Sequence, residues 1–381
     1  PPRSTLFPYT TLFRSMDQTE ITNNQYRQFV EYVRDSIARR LISEQNDEFI
    51  IAEDEFGNPI DPPTLNWEIP IDPEDEEQRE ILNSMYYSKE DAFYGKKELD
   101  TRKLFYEYYW IDLKQAAEKR NRYNFETLSY DQGEVTNSLG ERVKVDNRQS
   151  FIMRDKVNVY PDTLCWIADF SYSYNEPYTS SYFWHPAFDN YPVVGVTWKQ
   201  ATAFCIWRTQ LLNKYLSVEG TTIQDYRLPL EAEWEYAARG NLDHSMYPWG
   251  GPYPRNIEGC FLANFKPLRG NYIDDGGLIP IAVGSYEPND YGLYDMAGNV
   301  SEWTANAYDE SAYSFMHDMN PDYKYNAKPN DLPAMKRKVI RGGSWKDISF
   351  FLQVGARSYE YQDTAKSYIG FRCVRGYLGA K

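Results

Sequence analysis

Thiol, zinc and copper chemistry all need cysteines or histidines placed together, and this chain keeps them apart. Its four cysteines are Cys165, Cys205, Cys260 and Cys373, with no Cys-x-x-Cys pair. That spacing argues against zinc and against a thioredoxin-like redox centre. Four cysteines allow three disulfide pairings, and four buried thiols are the alternative. His185, His244 and His317 show no helical ligand spacing and read as surface or packing residues. Two C-terminal blocks, Val-Ile-Arg-Gly-Gly-Ser-Trp ending at Trp345 and Gly-Phe-Arg-Cys-Val ending at Val374, bracket a segment without any cysteine. The best local chemistry for a cation lies from Asp295 to Glu302. It offers two carboxylates, with Gly298 permitting a tight backbone path between them. Calcium takes about six to eight oxygens, mixing carboxylates with carbonyls. The competing reading is that Asp295 and Asn299 cap turns while Glu302 pairs with an arginine.

Few elements are available to position these residues. The spacing of Tyr26, Phe29, Val30, Val33 and Ile37 predicts an amphipathic helix over Thr22–Arg40, started by a Thr22/Gln25 capping box. A second helix is predicted over Trp198–Leu216, with Thr197 and Gln200 repeating the box. Its apolar side holds Ala201, Phe204, Cys205, Leu211 and Tyr215. A third, shorter helix is expected to start at Pro229, carry Glu231, Glu233, Trp234 and Glu235, and stop at Gly240. Between the first two helices lies a long polar stretch, about Ser43 to Asp155. Its acidic run Asp72–Glu77 reads as solvated. Its aromatic run Phe105–Trp110 reads as a strand on the core, or as a partner contact through Tyr106, Tyr108 and Trp110. After Gly240 turn residues dominate, so short strands and ordered loops are expected. A loop-heavy body must satisfy its backbone groups with metal ions, tryptophan N–H groups and side-chain amides.

The chain has 381 residues, 42% of them hydrophobic and 17% aromatic, with 34 Tyr and 10 Trp. It can therefore bury a substantial core. Its net charge of −15 argues against a nucleic-acid partner. No apolar run reaches the roughly 18 residues that a membrane helix needs. Pro1–Ser15 repeats Thr-Leu-Phe, carries no acidic residue and reads as a foreign, adapter-like segment. Native sequence is expected from Met16, as one domain over 16–381 with an insertion at about 43–155, and the native N-terminus is expected to lie outside this chain.

Five blocks occur in order: Glu20–Tyr26, Pro192–Trp198, Arg227–Gly240, Tyr291–Trp303, and Arg341–Trp345 with Gly370–Cys373. Together they resemble the formylglycine-generating enzyme (sulfatase-modifying factor) domain. The resemblance implies an α+β, loop-rich, C-type-lectin-like fold with few short helices and short strands. In the family's oxidases two cysteines follow the Gly-Gly-Ser-Trp block and hold copper, which prefers soft sulfur ligands. Here Asp347 and Leu352 stand in those places, so neither copper nor catalysis is expected. The related sulfoxide synthases add a His-rich module, which three scattered histidines do not supply. The resemblance further implies a Cys205–Cys373 disulfide and hence an oxidising compartment. Cys165 and Cys260 have no family counterpart, and a second bridge between them stays open. It also implies two calcium sites. One uses Asn264, the Phe265 carbonyl, Asp275 and the Gly277 carbonyl. The other uses Asp295, the Gly298 and Val300 carbonyls, and Glu302.

The segments Ser171–Pro177, Phe261–Gly270 and Arg341–Asp347, with the long insertion, resemble the GldK (PorK) family of gliding motility and type IX secretion. That resemblance implies a non-catalytic lipoprotein at the periplasmic face of the outer membrane. It would assemble with a GldN/PorN-like protein into a ring. The alternatives are a lectin-like ligand-binding module and an oxidase with an unusual site.

Overall fold

The computed structural model describes residues 15–376, except 55, 132, 170–175, 218–222, 269–272, 274–276 and 317–321. No helix among the described residues is long and apolar enough to cross a membrane. The described residues fall into two compact units. The smaller comprises Arg27–Tyr106 and Lys156–Tyr160, and the larger holds the other described residues.

The larger unit is organised on a four-stranded sheet. Its strand order is Ser358–Tyr361, Arg337–Arg341, Ser301–Ala307, Ile369–Gly370. Ser301–Ala307 runs antiparallel to Arg337–Arg341 and parallel to Ile369–Gly370. The register sets Arg341 and Gly370 on either side of Glu302. Parts of the last two sequence blocks are thus adjacent strands. A smaller sheet pairs Ser15–Met16 with Val374–Arg375, and Val374–Arg375 with Tyr226–Arg227.

The helices follow from periodicity and caps. Asn23–Ser43 and Trp198–Ser217 are helical. Both capping boxes form. Thr22 N–H donates to the Gln25 side chain at 3.1 Å and Thr197 N–H to Gln200 at 2.8 Å. Within the larger unit Tyr26 stacks on Phe204, ring centres 5.5 Å apart, and Phe371 meets both rings edge-on. The third helix is Glu231–Arg239, so Pro229 lies before the cap rather than at the first helical position. Leu230 N–H is held by the Glu233 carboxylate at 2.8 Å, which starts the helix without a polar cap residue. Gly240 stops it with φ 59. Asn289 then closes that end, its amide donating to the Ala237 carbonyl at 2.7 Å and its oxygen accepting from Tyr291 and Leu293 N–H.

Tryptophan N–H groups satisfy loop and strand carbonyls as anticipated. Trp303 donates to Val196 at 3.0 Å, Trp198 to Thr304 at 2.8 Å and Trp345 to Ser367 at 3.2 Å.

The insertion divides between the units. Its second half builds a small core of Val135, Val145, Phe151 and Met153, with Trp110, Ala116 and Tyr130 against it. In the smaller unit Phe29 and Phe49 are buried, and Phe29 meets Tyr106 edge-on at 5.2 Å. Tyr32 and Trp67 stack at 4.8 Å. The first helix thus buries aromatics against that polar stretch and makes a small core there. The acidic run is solvated. Asp75 caps the helix Glu76–Leu82, which buries no residue, and places Glu76 and Glu77 in its first turn.

Candidate functional site

The turn after Arg341 is built by two glycines in the left-handed region, Gly342 at φ 92 and Gly343 at φ 67. A Cβ on Gly343 would meet the Phe351 backbone at 2.9 Å, so only glycine fits this approach. The turn delivers Ser344, Trp345 and Asp347. Ser344 donates its hydroxyl to Asp347 at 2.6 Å, and the Asp347 carbonyl accepts from Lys266 N–H at 2.8 Å. Burial pushes the Asp347 carboxyl up, and the Ser344 hydrogen bonds oppose that shift. Leu352 is fully buried with Tyr247, Phe261, Ala263, Phe265 and Ala297. One place of the oxidases' cysteine pair therefore holds a hard oxygen and the other core hydrocarbon. Neither supplies the thiolate that Cu(I) needs.

Beside this turn lies a cavity of about 270 Å³, lined by Asp169, Phe265, Lys266, Gly277, Leu278, Trp345 and Lys346. Asp169 forms an ion pair with Lys346 and accepts from the Ser367 hydroxyl. Trp345 packs over Trp166 at 6.4 Å, which fixes the wall. Sequence reasoning missed Asp169, Lys266 and Lys346. Lys346 was findable as the residue after Trp345, whereas Asp169 carries no local signal.

The acidic loop is also buried. Glu302 accepts two hydrogen bonds on each oxygen. Arg372 Nε and Nη2 reach one oxygen at 2.9 and 2.6 Å; Arg372 Nε and Trp234 Nε1 reach the other at 2.7 and 2.8 Å. A carboxylate has about four lone-pair sites, so Glu302 has none left for an ion. Asp295 sits at φ 56, accepts from Gly284 N–H at 2.6 Å through one oxygen, and has no donor at the other. Burial pushes its carboxyl up to about 6. Glu20 joins them, accepting from Asn299 Nδ2 at 2.8 Å and Val300 N–H at 3.1 Å. Burial raises Glu20 well above the usual carboxylate range; Asp295 and Glu302 raise it further and Arg372 opposes.

The calcium set expected at Asp295, Gly298, Val300 and Glu302 does not fit, because Arg372 already neutralises Glu302. At the other expected set, the Asn264 amide donates to the Ile279 carbonyl at 2.9 Å, and Asp275 lies outside the described residues. Among the described residues no group of three or more His, Cys, Asp or Glu side chains is placed to hold a metal. Glu20 was overlooked in sequence because nothing local marks it as a partner of residue 299.

The model of the sulfatase-modifying factor enzyme 1-like domain matches residues 12–377. The chain belongs to this family. An inactive Cα-formylglycine-generating enzyme 2 from Bos taurus is 34% identical over 194 residues, covering 49% of this chain and 50% of that protein. A formylglycine-generating enzyme from Mus musculus is 31% identical, covering 50% of this chain and 45% of that protein. The chain spans about half the length of these curated relatives. The solved structure of PvdO from Pseudomonas aeruginosa is 26% identical, with a TM-score of 0.38, over 50% of this chain and 63% of that one. Inactive and active relatives match about equally well, so overall identity does not separate the two kinds.

Cys205 and Cys373 are buried and meet, but as free thiols with Sγ atoms 3.4 Å apart rather than as the expected bond. A bond needs about 2.05 Å. Cys165 and Cys260 are also free thiols. His185 caps a turn by accepting from Ala187 N–H, His244 is exposed, and His317 lies outside the described residues. Strand alternation sorts the aromatic run of the expected partner contact into two faces. Along Phe105–Ile111, Tyr106 and Tyr108 are buried and Trp110 is half-buried, while Phe105, Tyr109 and Ile111 are exposed. The second set faces outward, because successive side chains leave opposite faces of a strand.

Proposed function

We propose that this chain is a non-catalytic member of the family that serves as a structural subunit. The observation that carries this reading is the pair Asp347 and Leu352 in the places of the oxidase cysteines. We further propose the finer role of a GldK (PorK)-like lipoprotein of the periplasmic type IX secretion ring. The three resembling segments and the long insertion support it. A closed ring needs one heterologous interface repeated around it, and a preorganised surface loses little entropy on assembly. Location at the outer membrane and a GldN/PorN-like partner belong to the same proposal.

Electron microscopy of the chain co-expressed with that partner tests it, with rings as the expected outcome. Oxygen consumption by copper-loaded protein with a thiol peptide tests the non-catalytic half. No turnover is expected, and measurable turnover would overturn it. The cavity beside Trp345 favours a second reading, a ligand-binding module, because apolar walls with a few polar groups suit a small ligand. A glycan-array signal abolished by Trp345→Ala would favour that reading over the first.

A further inference from the structure

In the smaller unit the loop from Ser88 to Glu98 is pinned at its base. Tyr86 and Leu99 form an antiparallel bridge, and Tyr87 N–H donates to the Glu98 carbonyl at 3.0 Å. Within the loop Ala92 N–H donates to the Ser88 carbonyl at 2.9 Å and Lys96 N–H to the Phe93 carbonyl at 3.1 Å. The tip is one tight turn, Phe93–Gly95. Tyr94 and Gly95 both lie in the left-handed region, at φ 54 and φ 66. Glycine is at home there, whereas a bulky side chain is a genuine outlier. A position suited to Gly or Asn thus carries a tyrosine that is 96% exposed, next to a phenylalanine that is 74% exposed. Lys96 and Lys97 follow, both exposed, with Lys97 donating to the Asn83 side chain at 2.8 Å over the Tyr86 ring.

We propose that this tip docks on a phospholipid surface, with Phe93 and Tyr94 entering the boundary between headgroups and acyl chains and Lys96 held at the phosphates. Aromatic rings and lysines are the side chains that settle at that depth. A rigid base holds the rings outward, so little order is lost on insertion. Two side chains fall far short of the roughly 800 Å² per partner of a protein interface, whereas a bilayer needs no matching shape. The net charge of −15 gives no long-range pull toward anionic lipid. Ring insertion therefore dominates, and neutral bilayers suffice.

Flotation with phosphatidylcholine vesicles, with and without phosphatidylglycerol, tests this. The chain is expected to co-float with both. Replacing both rings, Phe93→Ser with Tyr94→Ser, is expected to cut partitioning about tenfold or more. Vesicles are expected to slow hydrogen exchange over 88–98 in the parent chain alone. The single variant Tyr94→Asn, which suits the turn, keeps the loop folded and should partition more weakly than the parent. Failure of the parent chain to co-float, or equal flotation of the doubly substituted chain, would overturn the proposal. So would protection of 88–98 by a protein partner and not by vesicles. Vesicle binding does not require ring assembly, so either result leaves the ring-subunit reading to its own test.

Discussion

Lys338 is fully buried, its ammonium 3.7 Å from the Trp198 ring centre and donating to the Tyr325 carbonyl at 2.7 Å. Burial pulls its pKa down to about 7; Asp363 opposes the shift, while Lys199, Lys114 and Lys324 add to it. An unfolded lysine keeps its proton to about 10.5. Between about 7 and 10.5 the unfolded chain therefore holds one more proton than the folded one, and stability rises with pH. Below about 7 the cost of burying the charge is present in full. Lys338→Met is expected to raise the melting temperature at pH 6 and flatten the rise from pH 7 to 10, as read by calorimetry across pH. Glu302 shows the opposite case, a buried charge fully paired. Glu302→Gln strands Arg372, so urea unfolding is expected to show a loss of about 3–5 kcal/mol. A loss under about 1 kcal/mol would mean that the Arg372 contact carries little. That Glu302 meets an arginine was one of two readings of the sequence, and the residue that decided it lies 70 positions away.

The helices were legible because their signals are local. A period near 3.6 and two Thr-x-x-Gln boxes need only neighbouring residues. The third helix was shifted by the same kind of chemistry, since Glu233 reached back to Leu230 N–H and left Pro229 outside. The strand Phe105–Ile111 was legible as a strand, but its faces were not. Alternation fixes which residues share a face; only packing decides which face is inside. Tyr108→Ala is expected to cost about 3–5 kcal/mol and Tyr109→Ala under about 0.5 kcal/mol in denaturant unfolding. Equal losses would contradict the assigned faces. If the strand meets a partner, pull-down should weaken for Tyr109→Ala and not for a folded variant at Trp110.

In the whole molecule, Cys205 and Cys373 are brought together across 168 residues of chain. Mild oxidation is expected to close them with little rearrangement, and closing so long a loop stabilises by up to about 5 kcal/mol. Mass spectrometry without reductant, followed by melting of oxidised and reduced samples, checks both statements. Identical melting temperatures for a fully closed and a fully open sample would refute the second. Which core each part of the insertion joins was not legible, because its apolar residues carry no mark of it.

By itself the sequence determined the family, the long helices, the loop-built character and the lack of a thiol pair after Trp345. Each of these depends on residue identity or on spacing within a few turns. Only the tertiary structure decided that Arg372 and Trp234 fill the lone pairs of Glu302, that Glu20 and Asp295 are buried beside it, that Asp169 closes the cavity with Lys346, and which face of the aromatic strand meets water. Those outcomes are set by burial and by partners remote in the chain, whose energies depend on distance in space and on exclusion of water.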